Sequence, residues 1–437
     1  GTFLLWESDT LGYTALDSQF NENISTRLSI DPFIAYEGKV FKHQILGRYF
    51  NLNTDIYQQD TLSDQSNSSQ FAYAEYRASS ENFIPLNLTF GAVYNQAQTN
   101  SPLFQGIQIA QNYAAYLQLE KRIRKWFFNA GIRHESFVLN NRKEGRPIVK
   151  AGLTFTPYKY TIFRASYGQG FRFPSIAESY IQTSVGPVSV YPNDNIEAEQ
   201  AWNAEIGIKQ GLRVGKVNLF IDVAGFYNEI DNMVEFMFAQ WSSNMNSANA
   251  FGFGFKSVNV GSAIIQGVDA NVLGNFLVGK NKFKVLAGYL LSNAKHAGFE
   301  KVIGTDTGNR IFTYKSTSSD TTSGMLKYRS LHTVKADIQW DRGSWSAGLS
   351  LRHNSFIDNI DRAFIEFPIG FAVPGIERQR SLGKRGNTVV DLRISKKFQK
   401  GYKVAFIVNN VLNNIFMERP ADLQAPRYYM IQIAKKI

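Results

Sequence analysis

The 437 residues are 44% hydrophobic and 19% charged, which is enough apolar material for a large core and too much for a disordered chain. Cysteine is absent, and this excludes a disulfide framework, a thiolate metal site and a thiol nucleophile. The formal charge of +11 is scattered through the sequence, which points to a solvated or lipopolysaccharide-facing surface and away from nucleic acid.

Aromatic residues reach 14%, mostly Phe and Tyr, and favour strands. No apolar run attains the roughly 18 residues of a membrane-crossing helix. Transmembrane barrels escape that test, because lipid-facing and lumen-facing side chains alternate and leave an ordinary mean hydropathy. The opening GTFLLWESDTLGYT shows no basic leader before an apolar stretch and reads as the middle of a domain.

Period-two alternation predicts strands at roughly 24–36, 39–51, 69–79, 86–95, 112–122, 126–137, 147–157 and 160–170. It continues at roughly 199–210, 216–229, 259–276, 282–293, 327–340, 344–355, 387–398, 402–412 and 426–437, about 17 strands with no helix. Asp31-Pro32 lies inside the first, where the missing proline N–H calls for a bulge. In one strand Val217, Leu219, Ile221, Val223 and Tyr227 share a face opposite Asn218 and Asp222. In another Trp202, Ala204, Ile206 and Ile208 oppose Asn203, Glu205 and Lys209.

The connections alternate. Short turns fall at roughly 37–39, 157–159, 279–282, 341–344 and 399–401, and long excursions at roughly 52–68, 96–111, 171–198, 230–258, 294–326, 356–386 and 413–425. A soluble sandwich has no reason to keep its short turns at one end, whereas an outer-membrane barrel has short periplasmic turns and long extracellular loops. The expected fold is therefore all-β, an antiparallel transmembrane β-barrel with one face toward lipid and the other lining a polar lumen.

One strand-to-loop break stands out. The run TIFRASY enters YGQGFRFPSIAESY at Tyr167–Tyr180, where Gly168 and Gly170 loosen the backbone and Pro174 ends the ladder. The segment SYGQGFRFPSIAESY resembles the strand-to-loop motif of TonB-dependent outer-membrane receptors. Three further segments resemble that family in order: NDNIEAEQAWNAEIGIK from Asn193, VNVGSAIIQGVDANV from Val258 with Asp269 where the family has Glu, and VNNVLNNIFMERP from Val408 with the terminal PRYYMIQIAKKI. Asp194 and Ala198 replace two family prolines, and Ile437 replaces the usual terminal aromatic.

The resemblance implies a barrel of about 22 strands closed around an N-terminal plug, so that this chain is a C-terminal barrel portion without plug or first strands. It further implies TonB-energised import of a scarce ligand of the ferric siderophore, cobalamin, oligosaccharide or peptide class. The implied setting is the Gram-negative outer membrane, with no catalysis and no cofactor or metal. The implied partners are the TonB complex, reached through the plug, and lipid with lipopolysaccharide. Two other readings stand beside it: a receptor-like scaffold in a secretion or assembly complex, and a soluble secreted all-β binding protein.

Arg172 and Glu178, joined by Glu197, Glu199 and Glu205, either contact a plug and the transport path or satisfy one another at the wall. Asp222 and Asp269 complete this lumenal set. The excursions at 230–258 and 356–386 are unusually apolar: Phe236, Phe238, Trp241, Phe251, Phe253 and Phe255 in the first, Phe364, Phe367 and Phe371 in the second. They form either a surface for a ligand, a surface lipoprotein or another protein, or a layer of loops packed on one another. Arg378, Arg380, Lys384 and Arg385 are a basic cluster that attracts an anionic ligand or is simply solvated. Asp306-Thr307-Gly308 spells an aspartic-protease triplet without a second copy, and the five histidines show no ligand spacing.

Overall fold

The computed structural model describes residues 21–437 except 59, 60, 64, 84, 85, 186, 187, 244–250, 367–375, 383, 420–423, 436 and 437. Its main element is a 19-stranded sheet in which every pairing is antiparallel. Phe33–Glu37 continues Asn21–Ile30 along the same neighbour, and Thr61–Leu62 is a short return beside Lys42–Gln58, which leaves 17 staves in a simple up-and-down meander. Among the described residues no pairing joins the first stave to the last, Tyr428–Lys435.

Local chemistry accounts for the hairpins. Gly215-Lys216, Gly279-Lys280 and Gly343-Ser344 place a positive-φ glycine first in a two-residue turn, the position where a tight hairpin of matching twist needs it. Arg124, at φ 52°, fills the same position without a glycine's freedom. Asp31-Pro32 interrupts the first stave without a bulge: Ile30 pairs Tyr49 and Phe33 pairs Leu46, so two residues face two. The Pro32 carbonyl accepts from Gly47 N–H at 2.9 Å, the ring lies over that glycine, and Asp31 binds Arg48 at 2.5 Å, so the register survives the lost donor.

The connections alternate between a short-turn end and a long-loop end, except that two at the latter, 102–105 and 140–141, are themselves tight turns, and the expected boundaries shift. The excursions at 52–68 and 96–111 are largely strand, because Lys42–Gln58 and Asn67–Phe83 extend upward and Leu86–Ser101 meets Gly106–Ile123 through a turn at Pro102–Phe104. The later long connections carry structure of their own. Ile176–Tyr180 and Ile376–Leu382 are short helices, where only strands were expected. Thr183–Val185, Val188–Tyr191, Phe253–Asn259 and Val234–Gln240 form a separate four-stranded sheet above the staves.

The staves are two-faced. Ile206, Ile208, Leu212, Phe163, Val404, Phe406, Ile431 and Ile433 are exposed on the outer face, as lipid contact requires. The buried hydrophobic clusters lie instead among the long connections, around Met237, Val260, Tyr314 and Leu326, and around Ile376 with Phe238, Phe255 and Phe364. Ile206, 71% exposed in the middle of Glu199–Val214, tests the outer face. Ile206→Arg is expected to cost about 2–4 kcal/mol of barrel stability, whereas Asn203→Arg on the opposite face costs little; urea unfolding in micelles, followed by heat-modifiable gel mobility, measures both.

Candidate functional site

At the strand-to-loop break, Thr161–Arg172 delivers Arg172 directly opposite Glu199. The guanidinium binds Glu199 at 2.5 Å and both oxygens of Glu178 at 2.8 Å. Ser-x-x-Glu at 175–178 is a capping box: the Ser175 hydroxyl accepts from Glu178 N–H, and the Glu178 carboxylate accepts from Ser175 N–H at 2.8 Å. Burial by itself raises the Glu178 pKa, but Arg172 and Ser175 outweigh it and hold the carboxyl below its usual range. Glu199 also accepts from Val234 N–H at 2.6 Å, which ties the following long connection to the same cluster.

The other lumenal residues divide. Glu205 does not join Arg172; with Asp222 it clamps Arg164, at 2.8 and 2.6 Å, and Lys209 reaches Asp222 at 3.4 Å. Arg164 lies over Gly207, where any side chain would stand about 3 Å from the guanidinium. Arg393 likewise covers Gly348 and grips Asp337 through two bonds of 2.7 Å. Arg164 was legible in principle, since alternation puts it on the polar face beside Glu205 and Asp222. Glu197 accepts from Asn232 at 3.2 Å and Asp269 from Asn271 at 2.9 Å, and both remain exposed. A recess of about 690 Å³ opens on the polar face between Tyr73, Glu75, Arg77, Tyr116, Arg133 and Lys150. Glu75 accepts there from Tyr73, from Arg77 at 2.9 Å and from Tyr116 at 2.6 Å.

Above the staves the aromatic residues pack mainly on one another. Phe238 meets Phe253 and Phe255 at 5.9 and 5.2 Å, Phe255 meets Phe364 at 5.9 Å, and Trp241 meets Phe312 edge-on at 5.5 Å. Phe236 and Phe251 point outward, 43% and 47% exposed, while Phe367 and Phe371 lie outside the described residues. Of the basic cluster, Arg380 is built into the layer, stacked 4.7 Å from Phe356 and donating to the carbonyls of Ile357 and Asp358. Lys384 and Arg385 are exposed, and the Arg378 side chain lies outside the described residues.

Sequence reasoning missed the centre of this layer. Lys327, read as the start of a strand, precedes His332–Arg342 and is fully buried. Its ammonium binds Asp361, 2% exposed, at 2.5 Å, donates to Thr317 at 3.1 Å and sits 5.0 Å over the Tyr314 ring. Tyr328 donates to the other Asp361 oxygen, and Tyr314 donates to Glu235 at 2.9 Å. His296 stacks on Tyr314 at 4.3 Å. Three long connections meet at one ion pair, and no periodicity in the sequence marks it. Asp306 of the Asp-Thr-Gly triplet is occupied by Arg310 and by the N–H groups of Gly308 and Arg310, as a turn-stabilising carboxylate is.

Beside this pair lies a cavity of about 240 Å³ walled by Phe238, Phe253 and Phe312 and rimmed by Asp306, Arg310, Asp361, Arg362 and Glu366. Arg310 lies 4.8 Å over Phe253 and pairs with Asp306, and Arg362 pairs with Glu366 at 2.8 Å. The pocket combines ring faces with hydrogen-bonding groups whose charges are matched in pairs.

A family model described as TonB dependent receptor-like, beta-barrel, matches residues 2–411. The chain belongs to the TonB-dependent receptor family. Its staves are those of an antiparallel outer-membrane barrel, with short periplasmic turns and long extracellular loops in the outer membrane of a Gram-negative bacterium. The siderophore receptor PirA from Pseudomonas aeruginosa superposes with a TM-score of 0.65 at 13% identity, over 94% of this chain and 64% of that one. The ferric-catecholate import receptor Fiu from E. coli K12 gives 0.66 at 13% identity, over 95% and 64%. The FrpB iron transporter from Neisseria meningitidis gives 0.63 at 14% identity, over 94% and 63%. At such identities the likeness is one of fold, and the chain spans less than two thirds of each receptor. No curated protein matches the chain. The family and these neighbours are receptors and transporters rather than enzymes.

Removing one partner of the buried ion pair strands the other. Asp361→Asn or Lys327→Met is expected to destabilise the loop layer by about 3–5 kcal/mol, and Lys327→Met/Asp361→Leu by much less, read as protease protection of the extracellular loops on intact cells. Burial holds the Glu235 carboxyl above the ordinary glutamate range, even though Lys327 and Tyr314 pull the other way. A raised folded-state pKa means that this contribution is complete below the ordinary glutamate value and is lost as pH rises through the raised one. Glu235→Gln keeps an acceptor for Tyr314 and removes the titration. It should flatten the pH dependence of loop protection and raise protection at neutral pH.

Proposed function

We propose that this chain is the wall and mouth of an active transporter that imports a scarce ligand across the outer membrane, energised through TonB. The observation that carries the reading is the aromatic, charge-matched cavity at 238–366, held between extracellular loops at the entrance end of the barrel. Its Arg310–Asp306 and Arg362–Glu366 pairs are satisfied internally, so it favours a ligand that brings ring faces and hydrogen-bonding groups over one that brings net charge. Within the classes the family admits, this ranks oligosaccharides, peptides and neutral ring-bearing chelates above strongly anionic ones.

Glu197 and Asp269 are the lumenal acids least engaged by cations, and they are the plug contacts this reading favours; Arg172, Glu178, Glu199, Glu205 and Asp222 hold the wall. A second reading, a scaffold for a surface lipoprotein or another protein partner, draws on the outward Phe236 and Phe251.

Phe253→Ala removes a wall of the cavity, and Arg310→Ala the rim cation that lies over that wall. Either should weaken ligand binding roughly fivefold, the worth of one buried ring contact, and slow uptake in proportion without altering barrel assembly. The measurement is binding and TonB-dependent uptake across a panel of oligosaccharides, peptides, cobalamin and ferric chelates. Uptake that persists without TonB, or wild-type uptake in both variants, counts against the reading.

A further inference from the structure

We propose that the short-turn rim of the barrel is a binding surface for the anionic phospholipids of the periplasmic leaflet. The net charge of the chain is not spread evenly over the fold. Lys39, Arg124, Lys159, Lys216, Lys280 and Lys400 each occupy a different short turn, and Arg342 immediately precedes the Gly343-Ser344 turn. One short turn, at 84–85, lies outside the described residues. Among the described residues no Asp or Glu lies between the paired ends of these hairpins, and the nearest flanking acids are Glu37, which pairs with Lys42 at 3.4 Å, and Asp341 beside Arg342. The five longest connections at the other end, by contrast, hold acidic and basic residues in equal number. Among the described residues, none of the six turn cations pairs with a carboxylate. The end that faces the periplasm therefore carries a net positive charge, with its turn cations unpaired and outnumbering the flanking acids Glu37 and Asp341.

Rings stand at the same level. Lys125 lies 5.8 Å over Tyr158, Lys159 lies 5.3 Å over Tyr160 and Lys396 lies 4.8 Å over Trp345. Tyr158, Tyr160 and Trp345 are all exposed. Amphipathic rings interleaved with long basic side chains mark headgroup depth, where a lysine stem lies along the apolar wall and the ammonium reaches phosphate. Distribution selects lipid over a protein partner. A docked protein covers one sector of a rim, whereas the cations recur at hairpin after hairpin from the first turn to the last, as a lipid annulus would meet them. A phosphate diester with a net negative headgroup supplies the complementary charge, and a zwitterionic headgroup does not.

The test uses the complete protein in bilayers of zwitterionic lipid containing either brominated phosphatidylglycerol or brominated phosphatidylcholine at the same mole fraction. Tryptophan quenching reports which lipid occupies the annulus, and Trp126, Trp340 and Trp345 lie near this end. Phosphatidylglycerol should be enriched at least about threefold, with the enrichment falling at high salt. Replacement of Arg124, Lys159, Lys216, Lys280 and Lys400 together by Gln should abolish it while heat-modifiable mobility shows an intact barrel. A three-turn variant keeps the test open if the five-turn variant fails to fold. Equal quenching by the two lipids, or enrichment that survives the substitutions in a folded barrel, overturns the proposal. So does a rim whose neutralisation alters retention on peptidoglycan and leaves the lipid preference unchanged.

Discussion

A polypeptide backbone inside hydrocarbon must satisfy every N–H and C=O from its own chain, and the staves are organised by that requirement. Each stave pairs antiparallel with its neighbour in the sequence, so short hairpins suffice at one end and nothing needs to cross the sheet. The same requirement explains how Pro32 is tolerated. It lies in the outermost described stave, and Gly47 still finds the Pro32 carbonyl. Once the ladder is fixed, side chains alternate by geometry alone. Isoleucine, leucine and phenylalanine face out, and the polar set faces in.

The inward face then has its own problem, since charges on a barrel wall are partly desolvated and must be matched. The solution recurs across neighbouring staves: an arginine lies over a glycine of the adjacent stave and reaches carboxylates beyond it, as Arg164 does over Gly207 toward Glu205 and Asp222. Arg172 extends the pattern to the rim, where Glu178 serves at once as helix cap and counter-ion. Arg164, Arg172 and Arg393 are wall first, with their charges paired, whereas Glu197 and Asp269 are held only by asparagines.

The extracellular connections follow different physics. They are in water, carry their own hydrophobic core, and gather around an ion pair that water does not reach. Lys327 and Asp361 are costly to desolvate and costly to separate, so the pair imposes one arrangement on three loops instead of simply adding stability. Tyr328 and Thr317 complete its hydrogen bonds, Tyr314 lies beneath the ammonium, and the cavity beside it inherits that rigidity. The two ends of the molecule are thus chemically distinct: a charge-balanced, preorganised layer outside, and a net basic rim inside.

Much of this was readable in the sequence, because a period of two and a contrast between short and long connections are local properties. About 17 strands, their faces and the direction of the barrel came from alternation, and the Tyr167–Tyr180 break with its partners at Asn193–Lys209 marked the family. The sequence grouped Arg172 with Glu178, Glu197, Glu199 and Glu205, but only the pairing register set Glu199 opposite it and only the Ser175 capping box oriented Glu178. Which acid meets which base did not follow, because Glu205 could be matched with Arg172 or Arg164 until the pairing placed it. Nor did the loop layer, where residues at 235, 296, 314, 327 and 361 converge across long irregular connections that obey no period. The sequence by itself determined the strands and their two faces, since backbone geometry repeats every two residues. Only the tertiary structure decided how the loops close on Lys327 and Asp361 and how the basic turns align on one rim, since both depend on distances between residues far apart in the chain.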